Sequence, residues 1–581
     1  MSIVLLILCD FTVHAQIYLG SLSGQVSDST GATIVGATVT AIDTTTHFST
    51  KAMTNSSGNY SIQFLTPGTY DITVEYIGFQ PQTHKGIVLT AGGNVVTDIT
   101  LKVGSASDMV TVNAVGVDAL NTSSADIDVT FTAKEITDLP NIGRVPFELA
   151  SLSAGTYDGS YMTAKASGGI VPWGNAGTAI SASGVGGSHT IITLNGSIDA
   201  PRERITGTGG GYGGFVPSPE SVQEVKVQLA MYDAEYGNSG GAAINTVLRS
   251  GTNDYHGAAY FIGRNTYLNA NQSERVPNQN GAINPGAPTP RPNGTWNQPG
   301  GVLSGPVTIP HLYNGHDKTY FMVAYERAML RTYNGASATG LVPTAAEAQG
   351  DFSALCPGGF NANGVCNPGG GVQIYDPLTS DASHNRTPFP YNQIPADRIS
   401  PVGAALLKYF PAPNAVVSNV VNYIAPDPVI RQRYYSFVTR VDHTINENNK
   451  LNATFYKSVL NQQYPDMGFP QGIGPTNEGE AVYRNNAGGG LDYVRIFPND
   501  WVLNARIGVL YHPFGVILPG LNIDLASLGI NSAGLGYQSF PGLSFSDSYL
   551  GLQGATPLVP NTSQATSQIS HDTNGSAAAI V

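Results

Sequence analysis

Residues 501–511 read WVLNARIGVLY. Trp501, Leu503, Ala505, Ile507, Val509 and Tyr511 fall on one face of an extended chain, opposite Asn504, Arg506 and Gly508, because successive side chains of a strand point to opposite sides. A ten-residue strand with an apolar face and aromatic ends suits a wall that meets lipid outside and a wet interior within. The pattern recurs: Thr319, Phe321, Val323 and Tyr325 share a face, as do Tyr435, Phe437, Thr439 and Val441. A polar turn, Asn446-Glu447-Asn448-Asn449, follows, and Leu451, Ala453 and Phe455 resume the alternation. A large soluble β-sandwich alternates similarly. It ranks lower because Gly/Asn/Pro-rich stretches such as 271–300 match the long outer loops of membrane barrels.

Composition narrows the function classes. The chain has 581 residues, with 69 Gly, 29 Tyr, 20 Phe, 41% hydrophobic and only 12% charged residues, so it can bury far more surface than a disordered chain. Its 27 Lys+Arg against 40 Asp+Glu leave a net charge of -13, which supplies little of the basic face that nucleic acid requires. Beyond the first residues, no apolar run approaches the roughly 20 needed for a membrane-crossing helix. Residues 1–15, MSIVLLILCDFTVHA, have a short apolar stretch from Ile3 to Cys9 and the small ending Val13-His14-Ala15, and they read as a secretory signal cleaved before Gln16. They lack the usual Lys or Arg near Met1, and the alternative is a buried strand. Export agrees with cysteine use: Cys356 and Cys366 are the only pair after the signal. They bracket a turn-rich segment, and a disulfide between them is permitted in an oxidising compartment and would contribute about 3 kcal/mol on the chain-entropy estimate. The alternative is two unpaired thiols.

Residues 18–103 consist of short β-branched runs separated by turns, with Tyr70, Ile72, Val74 and Tyr76 alternating against Asp71, Thr73 and Glu75, and predict a small β-sandwich able to fold alone. Tight turns stand at Asn55-Ser56-Ser57-Gly58 and Thr66-Pro67-Gly68. These runs resemble the carboxypeptidase regulatory-like family, which implies a transthyretin-like, carbohydrate-binding-like sandwich without catalysis. The 11 His are scattered singly, so the closely spaced zinc ligands of a carboxypeptidase are not expected.

Residues 104–251 mix short strands with one expected helix at 144–153. Three stretches here, ITDLPNIGRVPFELASLSAGT (136–156), ITLNGSIDAPRE (192–203) and the run from Pro217 through the first alternating strand to Asn265, resemble the plug and first barrel strand of TonB-dependent outer-membrane receptors of the Oar-like type. The likeness continues through NQPGGVLSGPV, DKTYFMVAYE and RTPFPYNQIPADRISPVGAALLKYFPAPN. It implies a mainly β protein: the sandwich, an α+β plug over 104–251, and an antiparallel transmembrane β-barrel over 252–581. It also implies the bacterial outer membrane with the sandwich in the periplasm, outer-membrane lipid and a TonB-type energy-coupling protein as partners, and a nutrient ligand, whether saccharide, peptide or metal chelate. No nucleic acid and no cofactor are expected.

Within this frame, Asp108, Met109, Val110, Thr111, Val112, Asn113 and Ala114 alternate and resemble the TonB box found between the leading domain and the plug. An extended peptide of this kind can add to a partner's sheet edge. The competing reading, a linker or the sandwich's last strand continued, stands near parity. By family position, Arg202, Arg204 and Tyr212, in a Gly-rich apical stretch, are candidate ligand contacts. Two catalytic patterns fail. Gly209, Gly211 and Gly214 satisfy GxGxxG, yet Phe215-Val216-Pro217 follows instead of a helix. The GxSxG pattern around Ser239, with Asp254 and His256 nearby, precedes a strand-like AAINTVLR where a nucleophile elbow needs a helix. The chain is expected to be no enzyme; a non-transporting surface adhesion or carbohydrate-binding protein is the alternative, and a secreted hydrolase using Ser239 a distant third. The resemblance implies a barrel of about 22 strands, which at about 9–11 residues each would consume about 200–240 residues and leave too little for the long loops, and alternation marks only about seven to nine strands, so the barrel is expected to be incomplete within this chain.

Overall fold

The computed structural model describes residues 18–104, 110–113, 127–141, 143–158, 180–185, 190–199, 214–230, 240–268, 294–333, 339–383, 385–415, 421–425, 429–464, 468–474, 481–497, 502–517, 523–531, 539–545, 549–552 and 564–574. Among them no helix is long and apolar enough to cross a membrane. The signal segment, Asp108, Met109, Ala114, Arg202, Arg204 and Tyr212 lie outside the described residues.

The N-terminal part is a sandwich. One sheet runs Asn59–Leu65, Gly20–Asp28, Asn94–Val96, with Ile99–Leu101 beside Gly20–Asp28; the other runs Ser49–Met53, Thr38–Asp43, Gly68–Glu75, Gln82–Leu89, Val110–Asn113. The alternation seen in sequence buries Tyr70, Ile72 and Val74 against Leu22, Val26 and Ile62 of the facing sheet. The turn at Asn55 is built as its residues demand: the Asn55 side-chain oxygen accepts from the Ser57 and Asn59 amides. Gly58 closes it at φ 73°, where a Cβ would stand 2.8 Å from Thr33, so only glycine fits without strain.

The plug follows. Its five-stranded sheet is ordered Ile127–Thr132, Val222–Ala230, Ala243–Leu248, Ile191–Leu194, Ser197–Ile198. The helix Ala133–Asp138 is opened by a reciprocal cap between Thr132 and Glu135. The helix expected at 144–153 is instead a 3-10 helix, Pro146–Leu152. Val145 offers no side-chain cap, and Arg144 sits at φ 54°, a left-handed conformation that starts no helix.

Nine strands then form one sheet: His256–Asn265, Gly294–Pro306, Thr319–Tyr333, Val429–Asn446, Asn449–Gln463, Ala481–Ile496, Val502–His512 and Gln564–Asn574 in order, with Phe514–Ile517 added beside Ala481–Ile496. All pairings are antiparallel. His256–Asn265 and Gln564–Asn574 are its two edges among the described residues, so the wall is open. Strand Thr319–Tyr333 runs beyond the alternation read from Thr319 to Tyr325 because burial keeps alternating through Ala328 and Leu330.

The face assignment agrees with the pattern of residues 501–511. Along Val502–His512, Asn504, Arg506, Leu510 and His512 are buried, whereas Ile507, Val509 and Tyr511 are 41%, 47% and 41% exposed. Phe455, Tyr325 and Tyr435 likewise point outward from neighbouring strands. Regular strands that expose aromatic and aliphatic side chains on one entire face are stable only where that face meets lipid.

Connections differ sharply between the two ends. Asn446 and Asn449 are joined by a two-residue turn, and Ile496 is followed by Val502 after five residues. At the other end the connections between strands run from Tyr333 to Val429 and from Gln463 to Ala481. The long-loop end carries its own apolar cluster, including Val342, Leu406, Tyr423, Phe469, Leu525 and Phe540, and a disulfide joining Cys356 and Cys366.

Candidate functional site

The inner face of the wall is layered, and the plug reads each layer. One register row carries Val302, Ala324, Val438, Tyr456 and, beyond Gly488, Leu510. These pack with Leu194, Phe215 and Leu248 of the plug. The row above, toward the long loops, is polar: Glu326, Ser436, Ser458 and Asn486. Two rows below the apolar girdle lie Asp442, Asn452, Asp492 and Arg506. The lumen is therefore an apolar girdle between two polar belts, not uniformly wet.

Each polar belt grips the plug through a buried ionic group. In the upper belt, Arg144 of the plug donates from Nη2 to both Glu220 carboxylate oxygens at 2.7 and 2.8 Å and lies 3.9 Å from Glu326 of the wall. Glu326 also accepts from the Tyr260 hydroxyl at 2.8 Å, and the Arg144 guanidinium stacks 5.1 Å over that ring. Burial works against the Arg144 charge, but the Glu220 carboxylate outweighs it and holds its pKa above the ordinary value. The left-handed backbone at Arg144 persists because this network specifies it.

In the lower belt, Arg440 is fully buried. Its Nη1 donates to the Leu248 carbonyl of the plug at 2.6 Å, and its Nε and Nη2 donate to Asp442 at 2.9 Å each. Asp442 also accepts from the Ser250 hydroxyl at 2.7 Å. The wall thus clamps the last plug strand where the chain leaves to begin the barrel.

Asp199 closes the base of the stretch that contains Arg202, Arg204 and Tyr212. It is buried, accepts from the Phe215 amide at 3.0 and 3.1 Å, and its own carbonyl accepts from the Gly214 amide. The Tyr456 hydroxyl reaches its carboxyl at 3.5 Å, and the Tyr456 ring stacks on Phe215 with centroids 4.6 Å apart. Burial drives the Asp199 carboxyl well above the ordinary carboxylate range. Asn486 donates to the Gly214 carbonyl, so both ends of that stretch are tied to each other and to the wall.

Val110–Asn113 of the TonB-box candidate is the outermost strand of the sandwich's second sheet. It pairs in parallel with Gln82–Lys85, with partners Gln82 and Val110, Thr83 and Thr111, His84 and Val112, Lys85 and Asn113. Residues 243–248 after the GxSxG pattern form a strand, and Gly214 of the GxGxxG pattern leads to the three-residue 3-10 helix Pro219–Ser221; neither context is the one its chemistry needs.

Sequence reasoning passed over Arg144, Glu220, Asp199, Glu326, Arg440 and Asp442. The wall residues among them carried a signal: Glu326, Arg440 and Asp442 occupy inward parity on strands whose outward positions are apolar. The plug residues carried none in isolation, because their partners are up to 257 residues away.

A family model described as outer membrane beta barrel domain matches residues 247–575, and one described as carboxypeptidase regulatory-like domain matches residues 21–102. No curated protein matches the chain. Among solved structures the chain is similar to the outer membrane transporter YddB of Escherichia coli, with 11% identity over 76% of this chain and 44% of that one and a TM-score of 0.41. It is also similar to two Pseudomonas aeruginosa proteins. The siderophore receptor PirA gives 12% identity over 68% of this chain and 49% of that one, TM-score 0.30. The ferric enterobactin receptor PfeA gives 13% identity over 69% of this chain and 48% of that one, TM-score 0.31. The chain spans less than half the length of each of these three proteins. With more than half of its residues matched by the barrel model and a wall that is apolar outside and grips a plug inside, the chain belongs to the outer membrane beta barrel domain family and carries a carboxypeptidase regulatory-like domain ahead of its barrel.

Proposed function

We propose that the chain forms the sandwich, plug and wall strands of a TonB-dependent receptor that binds a nutrient on the long-loop side and imports it past the plug. The observation that carries this reading is the plug sheet packed on the inner face of a lipid-facing wall and gripped there by apolar packing, hydrogen bonds and ion pairs, which lets a plug be both an occluder and a moving part. Outer-membrane barrels keep short turns on the periplasmic side and long loops outside. The sandwich contacts the short-turn end, and on this reading it and Val110–Asn113 lie in the periplasm, within reach of an energy-coupling protein. Ligand contacts then come from the long loops and from the stretch pinned by Asp199, where Arg202, Arg204 and Tyr212 belong. The role is binding and passage, with no catalytic step.

Strand Val110–Asn113 engages its partner by main-chain pairing, which gives strength while alternate side chains give register. Val110→Pro removes a donor from that strand and is expected to abolish energised uptake with the receptor still folded. The test scores growth of cells carrying the full-length protein on panels of oligosaccharides, peptides and iron chelates, with heat-modifiable migration confirming insertion. Undiminished growth of the Val110→Pro strain on a nutrient whose use requires the receptor would refute the assignment.

A further inference from the structure

The sandwich does not hang free beside the barrel. Tyr18, Leu19, Phe64 and Ala91 form one apolar cluster with Val247 of the plug and Val494 and Val502 of the wall. The Ala91 amide donates to the carboxylate of Glu224 on the plug sheet. On the wall side, the Thr46 carbonyl accepts from the Asn253 side chain at 3.1 Å and from the Tyr320 hydroxyl at 2.9 Å. The Lys450 ammonium sits 3.9 Å from the centre of the Phe48 ring, and the Arg506 guanidinium 5.1 Å from that of Tyr18. Two docking residues hold left-handed backbone, His47 at φ 56° and Phe64 at φ 57°. Such conformations cost of order 1–3 kcal/mol in residues that carry a side chain and persist where surrounding contacts impose them.

From these contacts we infer that the sandwich is a cap seated in the short-turn mouth of the barrel, and that it must lift before the plug can move. This inference rests on the transport reading above. The end of the plug that faces this mouth, at Val247, abuts Tyr18, Leu19, Phe64 and Ala91, so displacement of the plug in that direction runs into the cap. The attachment is built for release, since among the described residues it consists of a few hydrogen bonds, two cation–π contacts and one small apolar cluster, with no disulfide across it. Because Val110–Asn113 is a strand of the cap itself, a partner pulling on it loads the cap first.

The test uses the full chain in intact cells with Val247→Cys as reporter, read as the yield of maleimide-labelled peptide containing position 247. Native Cys356 and Cys366 are disulfide-bonded and silent. A second set adds Thr46→Cys with Asn253→Cys, oxidised to lock cap to wall. Uncoupler-treated cells are expected to label at least tenfold more slowly than a cysteine placed at exposed Thr30. Energised cells should speed labelling severalfold, the oxidised lock should cancel that gain, and dithiothreitol should restore it. Rapid labelling in uncoupled cells overturns the seated cap alone. An energised gain that survives the lock overturns the requirement that the cap lift first. Protection that no energy source relieves overturns the lifting step together with the coupling reading. Val494→Cys, on the wall under the same cluster, serves as a second reporter where the first variant inserts poorly.

Discussion

Raising the pH should loosen the joint between sandwich and plug, and Glu224 sets the size of the effect. Its side chain is buried; burial pushes its pKa up, against the opposing pull of the Ala91 amide and Lys226, from the ordinary 4.5 to about 7. A group whose folded pKa is raised binds its proton more tightly in the docked state. Stability of the joint is therefore greatest below about pH 4.5, declines as pH rises toward 7, and is lowest above that. At ~1.4 kcal/mol per pH unit the span corresponds to about 3 kcal/mol, or roughly two orders of magnitude in the opening equilibrium. Hydrogen exchange at the Ala91 amide, read by mass spectrometry of the detergent-solubilised protein and corrected for intrinsic rates, reports that equilibrium directly. Protection should fall across this window in the wild type and stay flat in Glu224→Gln. An equal slope in both proteins would refute the assignment of the effect to Glu224.

Three further outcomes follow from packing and charge. Arg440→Ala leaves the partly exposed Asp442 without its cation and the Leu248 carbonyl without its donor, so it should cost about 1–3 kcal/mol and lower the temperature of the heat-modifiable gel shift. Gly508 faces Ser197 of the plug, and a Cβ there would lie 2.9 Å from the serine oxygen; Gly508→Val should cost about 1–3 kcal/mol by overpacking. Ser197→Gly should recover most of that loss, and a double variant no more stable than Gly508→Val alone would contradict the contact. Cys356→Ser opens the Cys356–Cys366 staple, worth on the order of 3 kcal/mol to its loop, and should speed protease nicking between these positions with the barrel shift unchanged.

Much of the architecture was legible because it depends on periodicity that local chemistry enforces. The alternation of Tyr70, Ile72 and Val74 or of Leu503, Ile507 and Val509 declares which face is apolar, and a period of two leaves a strand little other choice. Turn chemistry at Asn55–Gly58 is equally local. The short 3-10 helix at Pro146–Leu152 was misjudged for the opposite reason: Arg144 takes its backbone conformation from Glu220 and Glu326, far along the chain, and local propensity yields to that network.

The amino-acid sequence by itself determined the strand pattern, the apolar outer face, the cysteine pair and the family motifs, since each is encoded within a window of a few residues. Only tertiary structure decided that Arg440 clamps the exit of the plug, that Asp199 ties down a stretch ending at Phe215, and that Thr46, Phe48 and Ala91 seat the sandwich on wall and plug. The physical reason is the range of the interactions. A buried charge or an unpaired carbonyl needs a partner, but nothing in its own neighbourhood states which distant residue will supply one; register across the wall and the seating of the plug make that choice.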